Sequence, residues 1–251
     1  MRSEFSLVTH NGLDLLVYLP WWRAGVIHGM TTAQLGCTSA TLESDIAAVK
    51  MALSVEHVAL PHQNHGSRVV DMRSSEAVRV AIARHGDIIR REPGDAIAAP
   101  LIQGSSEGIV LYGVLTADCV PILVRGDHGY VAIHAGWRGL AGGVIATSLP
   151  YVGTPCEALI FACAGPQLYE VGSDVIEAIG VSAVFQELPH RQGKYLLNTA
   201  ATAVRQLQGA YSGVIVHAAE VCTISDPRFH SFRRDAERSG RCVTFVVPGA
   251  G

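Results

Sequence analysis

GIVLYGVLTADCVPILVRGDHGYVAIHAGWRGLAGG, residues 108–143, is the stretch that decides the fold. It contains an apolar strand candidate ending in Thr116-Ala117-Asp118-Cys119, a second over 120–124 and a third over 130–134. Gly126-Asp127-His128-Gly129 separates the last two, and glycine and aspartate tolerate the positive φ that tight hairpins need. A two- or four-residue loop makes the numbers of paired residues sum to 255 or 253, so that Cys119 lies opposite Gly136 or His134. Either register places the Cys119 thiol and the His134 imidazole on one face of the sheet, whereas a three-residue loop sends them to opposite faces. Asp118 and the glycine-flanked Trp137-Arg138 are poor material for a strand interior, which reads this stretch as a site.

The rest of the chain reads as support. With 251 residues, 49% of them hydrophobic and 16% charged, the composition predicts a compact globular protein with a substantial core. A formal charge of -3 without a basic block offers no electrostatic case for nucleic acid or an anionic membrane. The opening MRSEFSLVTHNG lacks the apolar core of a leader, and no long uncharged apolar run predicts a membrane span, so the expected location is the cytoplasm. The six cysteines are scattered without a CxxC pair, which favours reduced thiols over a disulfide framework.

In chain order, 4–9 and 13–19 predict a hairpin around His10-Asn11-Gly12, and Thr41 or Ser44 can cap a helix running to about Leu53. A short strand over 58–60 leads into the polar corner Pro61-His62-Gln63-Asn64-His65-Gly66, ahead of Arg68-Val69-Val70. Residues 74–85 read as a helix and 86–100 as a loop-rich passage holding Gly94-Asp95-Ala96-Ile97. Further on come a small-residue helix over 140–149, a buried strand over 158–164, helices capped by Ser173 and Asn198, a strand over 214–216, a charged helical turn over 233–239 and a last strand over 242–247. Strands and helices interleave irregularly with hairpins, which predicts an α+β fold of mixed β-sheets packed together and flanked by helices, in a single domain over 1–251.

Catalytic zinc takes three protein ligands from His, Cys and carboxylates and keeps a fourth position open. His65, Cys119 and His134 supply such a set, with His62 the competitor for the first place. Taken in order, Gln63-Asn64-His65-Gly66, Leu115-Thr116-Ala117-Asp118-Cys119-Val120-Pro121 and His134-Ala135-Gly136-Trp137-Arg138-Gly139 resemble the signature segments of the YfiH-type family, the laccase-domain or multicopper polyphenol oxidase-like proteins. Gly165-Pro166, Tyr169-Glu170-Val171-Gly172, Leu197-Asn198, Cys222-Thr223, Phe229 and Gly240-Arg241 continue the likeness over nearly the whole chain. The resemblance implies a metal held by His65, Cys119 and His134. It also implies phosphorolysis of adenosine, inosine, guanosine and methylthioadenosine, with deamination of adenosine as a side activity. An older reading of the same family is a copper polyphenol oxidase.

The chain departs from the family pattern at Ala33, at Gln167 and at His230, which leaves the three metal positions alone and bears on substrate preference. In deamination, Asp118 or another carboxylate is the expected proton carrier, Asp118 being otherwise the orienter of Arg138 or a strand cap. In phosphorolysis, Arg138 is the expected cation for phosphate, because a guanidinium matches it in a bidentate fork. The His2Cys set also suits copper, yet the 11 histidines are dispersed where a multicopper enzyme needs several clusters. A metal-free alternative makes Cys119 and His134 a nucleophile and its base.

Overall fold

A computed structural model describes residues 4–86, 88–89, 92–103 and 108–250. Positions 87, 90 and 91 of the loop-rich passage and the first three residues of the leader reading lie outside the described residues. Asn11 and Gly12 both take positive φ (48° and 83°), and the turn they make pairs Phe5–His10 with Leu13–Tyr18 as expected. That hairpin begins a seven-stranded sheet, which continues through Ile27–Thr31, Cys242–Val247, Val110–Thr116, His57–Ala59 and Ile88–Ile89. A six-stranded sheet runs Ile215–Ala218, Pro155–Ile160, Val120–Gly126, Gly129–Ala135, Ala96–Pro100 and Val69–Asp71. Both sheets mix parallel and antiparallel pairs, and helices flank them, so the fold is the α+β arrangement read from the sequence.

The two sheets pack face to face, and the period of two along each strand shows how. Tyr112 and Val114 point to Leu123, Tyr130, Ala132 and Phe161 in the core between the sheets. Leu111 and Leu115, one residue out of phase, turn the other way and meet Ile46, Val49 and Leu53 of the helix Leu42–Leu53. On the far side Ile122, Val131 and Ile133 meet Leu140, Val144, Ala203 and Leu207 of the helices that cover the six-stranded sheet. The layers are therefore helix, sheet, sheet, helix.

The central hairpin takes the two-residue loop. Val120 pairs with Ala135 and Pro121 with His134, the register whose numbers sum to 255, so Cys119 comes opposite Gly136 and diagonal to His134. Three other expectations need correction. Ala96–Pro100 is a buried strand beside Gly129–Ala135, because its small apolar residues fill an inner position of the sheet where bulk is excluded. The helix expected over 140–149 is two, Trp137–Ala141 and Val144–Ser148, broken where Gly143 takes φ 75°. Ser173 is the first residue of its helix, after Gly172 at the cap, whereas Asn198 caps as expected by accepting from the Ala201 amide. Among the described residues, no helix is long and apolar enough to cross a membrane.

Candidate metal centre

Twice the chain leaves the seven-stranded sheet and enters the six-stranded one at the same end. The first crossing, from His57–Ala59 to Val69–Asp71, carries His65; the second, from Val110–Thr116 to Val120–Gly126, carries Asp118 and Cys119. The strand Gly129–Ala135 ends beside them with His134 on its inter-sheet side. One donor atom from each of His65, Cys119 and His134 lies within 4.8 Å of the others, and among the described residues this is the one such group of three. His134 is buried, Cys119 half-buried and His65 exposed, so the group opens to solvent on the His65 side. His62, the competitor, is exposed and is not part of the group, its backbone forming an isolated parallel bridge with Pro93.

Both crossings carry backbone strain. His65 takes φ 63° and Asp118 φ 82°, a region that side-chain-bearing residues enter at a cost of roughly 1–3 kcal/mol and keep only where their surroundings hold them. Gly136 provides the space between the donors: a Cβ there would stand 3.0 Å from His65 Cδ2, 3.1 Å from Cys119 Sγ and 3.8 Å from His134 Nε2. Two imidazoles and a thiolate around a glycine-made hollow fit a tetrahedral or trigonal transition-metal site with an open position.

Asp95 holds this arrangement together. Fully buried, it accepts from the His65 and Gly66 amides at 2.9 and 2.7 Å, and from His134 Nδ1 at 2.8 Å. The carboxylate thereby fixes the loop that presents His65 and turns His134 so that Nε2 faces the other donors. Desolvation opposes its ionisation, but the bonds from His134, Gly66 and Asn64 outweigh it and hold the carboxyl below its usual range. Burial likewise opposes charge on Cys119 and on His134. Each nevertheless charges the other: with His65 and Asp95 assisting, the thiol falls to about 6 and the imidazole rises to about 9. Without a metal the centre is thus a thiolate–imidazolium pair near neutral pH.

Asp118, expected as a proton carrier, is committed elsewhere. Oδ1 accepts from the Thr223 hydroxyl and Oδ2 from the Arg233 amide, each at 2.6 Å, so the side chain anchors two loops behind Cys119. Among the hydrogen bonds of the described residues, none joins Asp118 to Arg138. Arg138 is exposed at the start of Trp137–Ala141, its guanidinium 4.2 Å from the centroid of the Trp137 ring. Arg234 is structural, pairing with Asp235 and donating to the Thr223 and Phe229 carbonyls. Arg233 stacks on Tyr169 at 4.7 Å, and burial followed by the charge of nearby Cys119 pushes that phenol up to about 12. His28, His217 and His230 are hydrogen-bonded within the fold, to Val26, Tyr18 and Leu35 respectively.

Asp95 is the functional residue that sequence reasoning missed. A charged residue between Gly94 and the apolar run Ala96-Ile97-Ala98-Ala99 is the signal that marks it, since a carboxylate opening a buried strand needs partners.

The family model for multi-copper polyphenol oxidoreductase laccase matches residues 34–248. The chain belongs to this YfiH-type laccase-domain family. Among curated relatives of this family member, one named purine nucleoside phosphorylase from Xylella fastidiosa (strain 9a5c) is 36% identical over 210 residues, covering 78% of this chain and 76% of that protein. Another of the same name, from Aquifex aeolicus (strain VF5), is 33% identical over 197 residues, covering 76% and 83%. The fold is that of the hypothetical protein YfiH of Bacillus licheniformis, with a TM-score of 0.79, 20% identity and coverage of 98% and 99% of the two chains. YlmD from Geobacillus stearothermophilus is similar at a TM-score of 0.78 and 21% identity, covering 98% and 99%.

Proposed function

We propose that this laccase-domain protein is a purine nucleoside phosphorylase. In this reading it is a single cytoplasmic domain that binds zinc through His65, Cys119 and His134 and acts on adenosine, inosine, guanosine and methylthioadenosine. The observation that carries the reading is the convergence of one thiol and two imidazoles within 4.8 Å around Gly136, in a chain whose curated relatives bear that activity's name.

A metal at this place supplies electrophilic polarisation of an oxygen on a bound anion. The chain's own residues do the rest. Asp95 keeps the Nδ1 proton on His134 and so reserves Nε2 as a donor. The depressed Cys119 thiol meets a cation already ionised at neutral pH, so the proton to be displaced on binding sits on His134. Arg138, exposed between Gly136 and Gly139 just after His134, holds phosphate against the ribose, and its contact with the Trp137 ring limits where the guanidinium can swing. Asp118 positions the Cys119 loop through Thr223 and Arg233, and in the adenosine deaminase side activity it, or another carboxylate, carries the proton.

The test is direct. Purified protein of known metal content, given adenosine and phosphate, is expected to release adenine and ribose 1-phosphate. A fully metallated sample that releases neither rejects the reading.

A second reading has its own observation: thiolate, imidazolium and buried carboxylate form a Cys119–His134–Asp95 series of the kind cysteine nucleophiles use. Elemental analysis separates the two. A stoichiometric metal lost in Cys119→Ala supports the metal centre, and an active, metal-free wild type supports the nucleophile. The copper oxidase reading rests on the family description, and phenol oxidation that requires stoichiometric bound copper and is lost when zinc replaces it would move it to first place.

A further inference from the structure

A cavity of about 550 Å³ lies behind the metal centre, on the other side of the Cys222-Thr223 turn, and neither its position nor its chemistry is used by the reading above. Its walls are largely hydrocarbon, from Ile160, Phe161, Leu168, Ala201 and Val204, and its volume suits a small organic molecule. Exposed Gln167, Leu168 and Ser225 stand at its rim, so it opens to solvent. Two free thiols, Cys163 and Cys222, line it together.

Their placement is set by the backbone. Cys163 donates its amide to the Val221 carbonyl at 3.2 Å and accepts from the Thr223 amide at 2.9 Å, the bonds of a parallel bridge with Cys222 directly opposite. Opposed residues in a ladder project to the same side, so both sulfurs share one face. The two thiols are unlike in accessibility and in bonding. Cys163 is buried, whereas Cys222 is half-buried and its sulfur accepts the Gly165 amide at 3.2 Å. Burial pushes the Cys163 thiol up to about 12. On Cys222 burial is outweighed by bonds from Ser225, Gly165 and Ile224, which hold the thiol below its ordinary range.

We propose that Cys222 and Cys163 form a dithiol site that reduces apolar organic hydroperoxides, Cys222 attacking from the cavity wall and Cys163 resolving the product. The Cys222 thiolate attacks the terminal hydroperoxide oxygen: the S–O bond forms, the O–O bond breaks, that oxygen keeps its hydrogen as the sulfenic acid, and the alkoxide takes up the proton the Cys222 thiol had released and leaves as the alcohol. Cys163 then attacks that sulfur. The S–S bond forms, the S–O bond breaks, and hydroxide departs with the Cys163 proton as water. Two thiols have been oxidised to one disulfide and one hydroperoxide reduced to an alcohol and water. The apolar walls select the organic oxidant, since part of its hydrocarbon surface leaves water as it docks.

The test uses the full chain, metal-loaded and reduced, exposed to cumene hydroperoxide or to hydrogen peroxide, then alkylated and mapped by peptide mass spectrometry. A linked Cys163–Cys222 peptide is expected, formed about tenfold faster with cumene hydroperoxide at equal concentration. In Cys163→Ser, dimedone is expected to trap a sulfenic acid on Cys222, and in Cys222→Ser neither reagent oxidises Cys163. Ala201→Phe, which partly fills the cavity, should bring the cumene hydroperoxide rate down to that of hydrogen peroxide. Should that variant misfold, the wild-type rate ratio and the trapping experiment still decide. Equal rates for the two oxidants, a crosslink between Cys163 and Cys119, or no crosslink would each overturn the proposal.

Discussion

His28 in the seven-stranded sheet and His134 in the six-stranded sheet are both buried on strands and both hydrogen-bonded through Nδ1, yet their acidities move in opposite directions. His28 falls to about 4 because desolvation is opposed only by the Val26 carbonyl. His134 suffers the same desolvation and rises to about 9, because the Cys119 thiolate and the Asp95 carboxylate face it. Burial alone therefore makes a neutral structural histidine, and burial beside two anions makes a charged one whose proton a metal cation can displace. The difference between a packing residue and a ligand lies in the partners, since both rings are equally removed from water.

The sharpest break of the comparison is Cys119→Ala, which removes a donor and one of the two anions facing His134. Metal affinity is expected to fall about a thousandfold or more, read by elemental analysis and by loss of nucleoside phosphorolysis. Next is the pH dependence of stability. The folded His28 value of about 4 lies below the ordinary 6.5, so between those values the unfolded chain binds more protons. The contribution of His28, roughly 3 kcal/mol, is present in full above 6.5 and lost as the pH falls toward 4. Urea unfolding should show this slope, and His28→Gln should flatten it. His134 in metal-free protein has the opposite sign: its stabilisation is present below 6.5 and is lost as the pH rises through about 9.

Asp95→Asn keeps the shape of the buttress and removes its charge. About 10- to 100-fold weaker metal binding is expected, and in the metal-free protein the His134 ring, followed by NMR, should titrate at a lower pH than in the wild type. Unchanged affinity would mean that Asp95 shapes the loop without tuning the ligand. The smallest effect is expected from Thr223→Val, which takes one of two partners from Asp118. Denaturation should report a loss of about 1–2 kcal/mol, with metal content retained.

Much of this centre is legible in the chain before folding. Gly126-Asp127-His128-Gly129 between two apolar runs restricts the loop, and strand alternation then puts Cys119 and His134 on one face in either permitted register. The choice between the registers, and between His62 and His65, is not local. Asp95 lay hidden for a related reason: its partners are 29 to 39 residues away, and its strand is built of alanines that carry little periodic signal. The anchoring bonds of Asp118 are not legible locally either, because Thr223 and Arg233, which donate to its oxygens, arrive from more than 100 residues downstream.

What the amino-acid order determined by itself is therefore the hairpin and the mixed α+β class, with a shared face for one thiol and one imidazole in a two- or four-residue loop, all of which follow from turn chemistry and a period of two over short spans. Only the tertiary structure decided that His65 completes the group, that Asp95 charges His134, that Asp118 is an anchor, and that Cys163 and Cys222 share a cavity wall. Those contacts form where the chain crosses from one sheet to the other or returns to them from far downstream. Such meetings are fixed by how two packed sheets exclude water between them, and neighbouring residues along the chain carry no record of them.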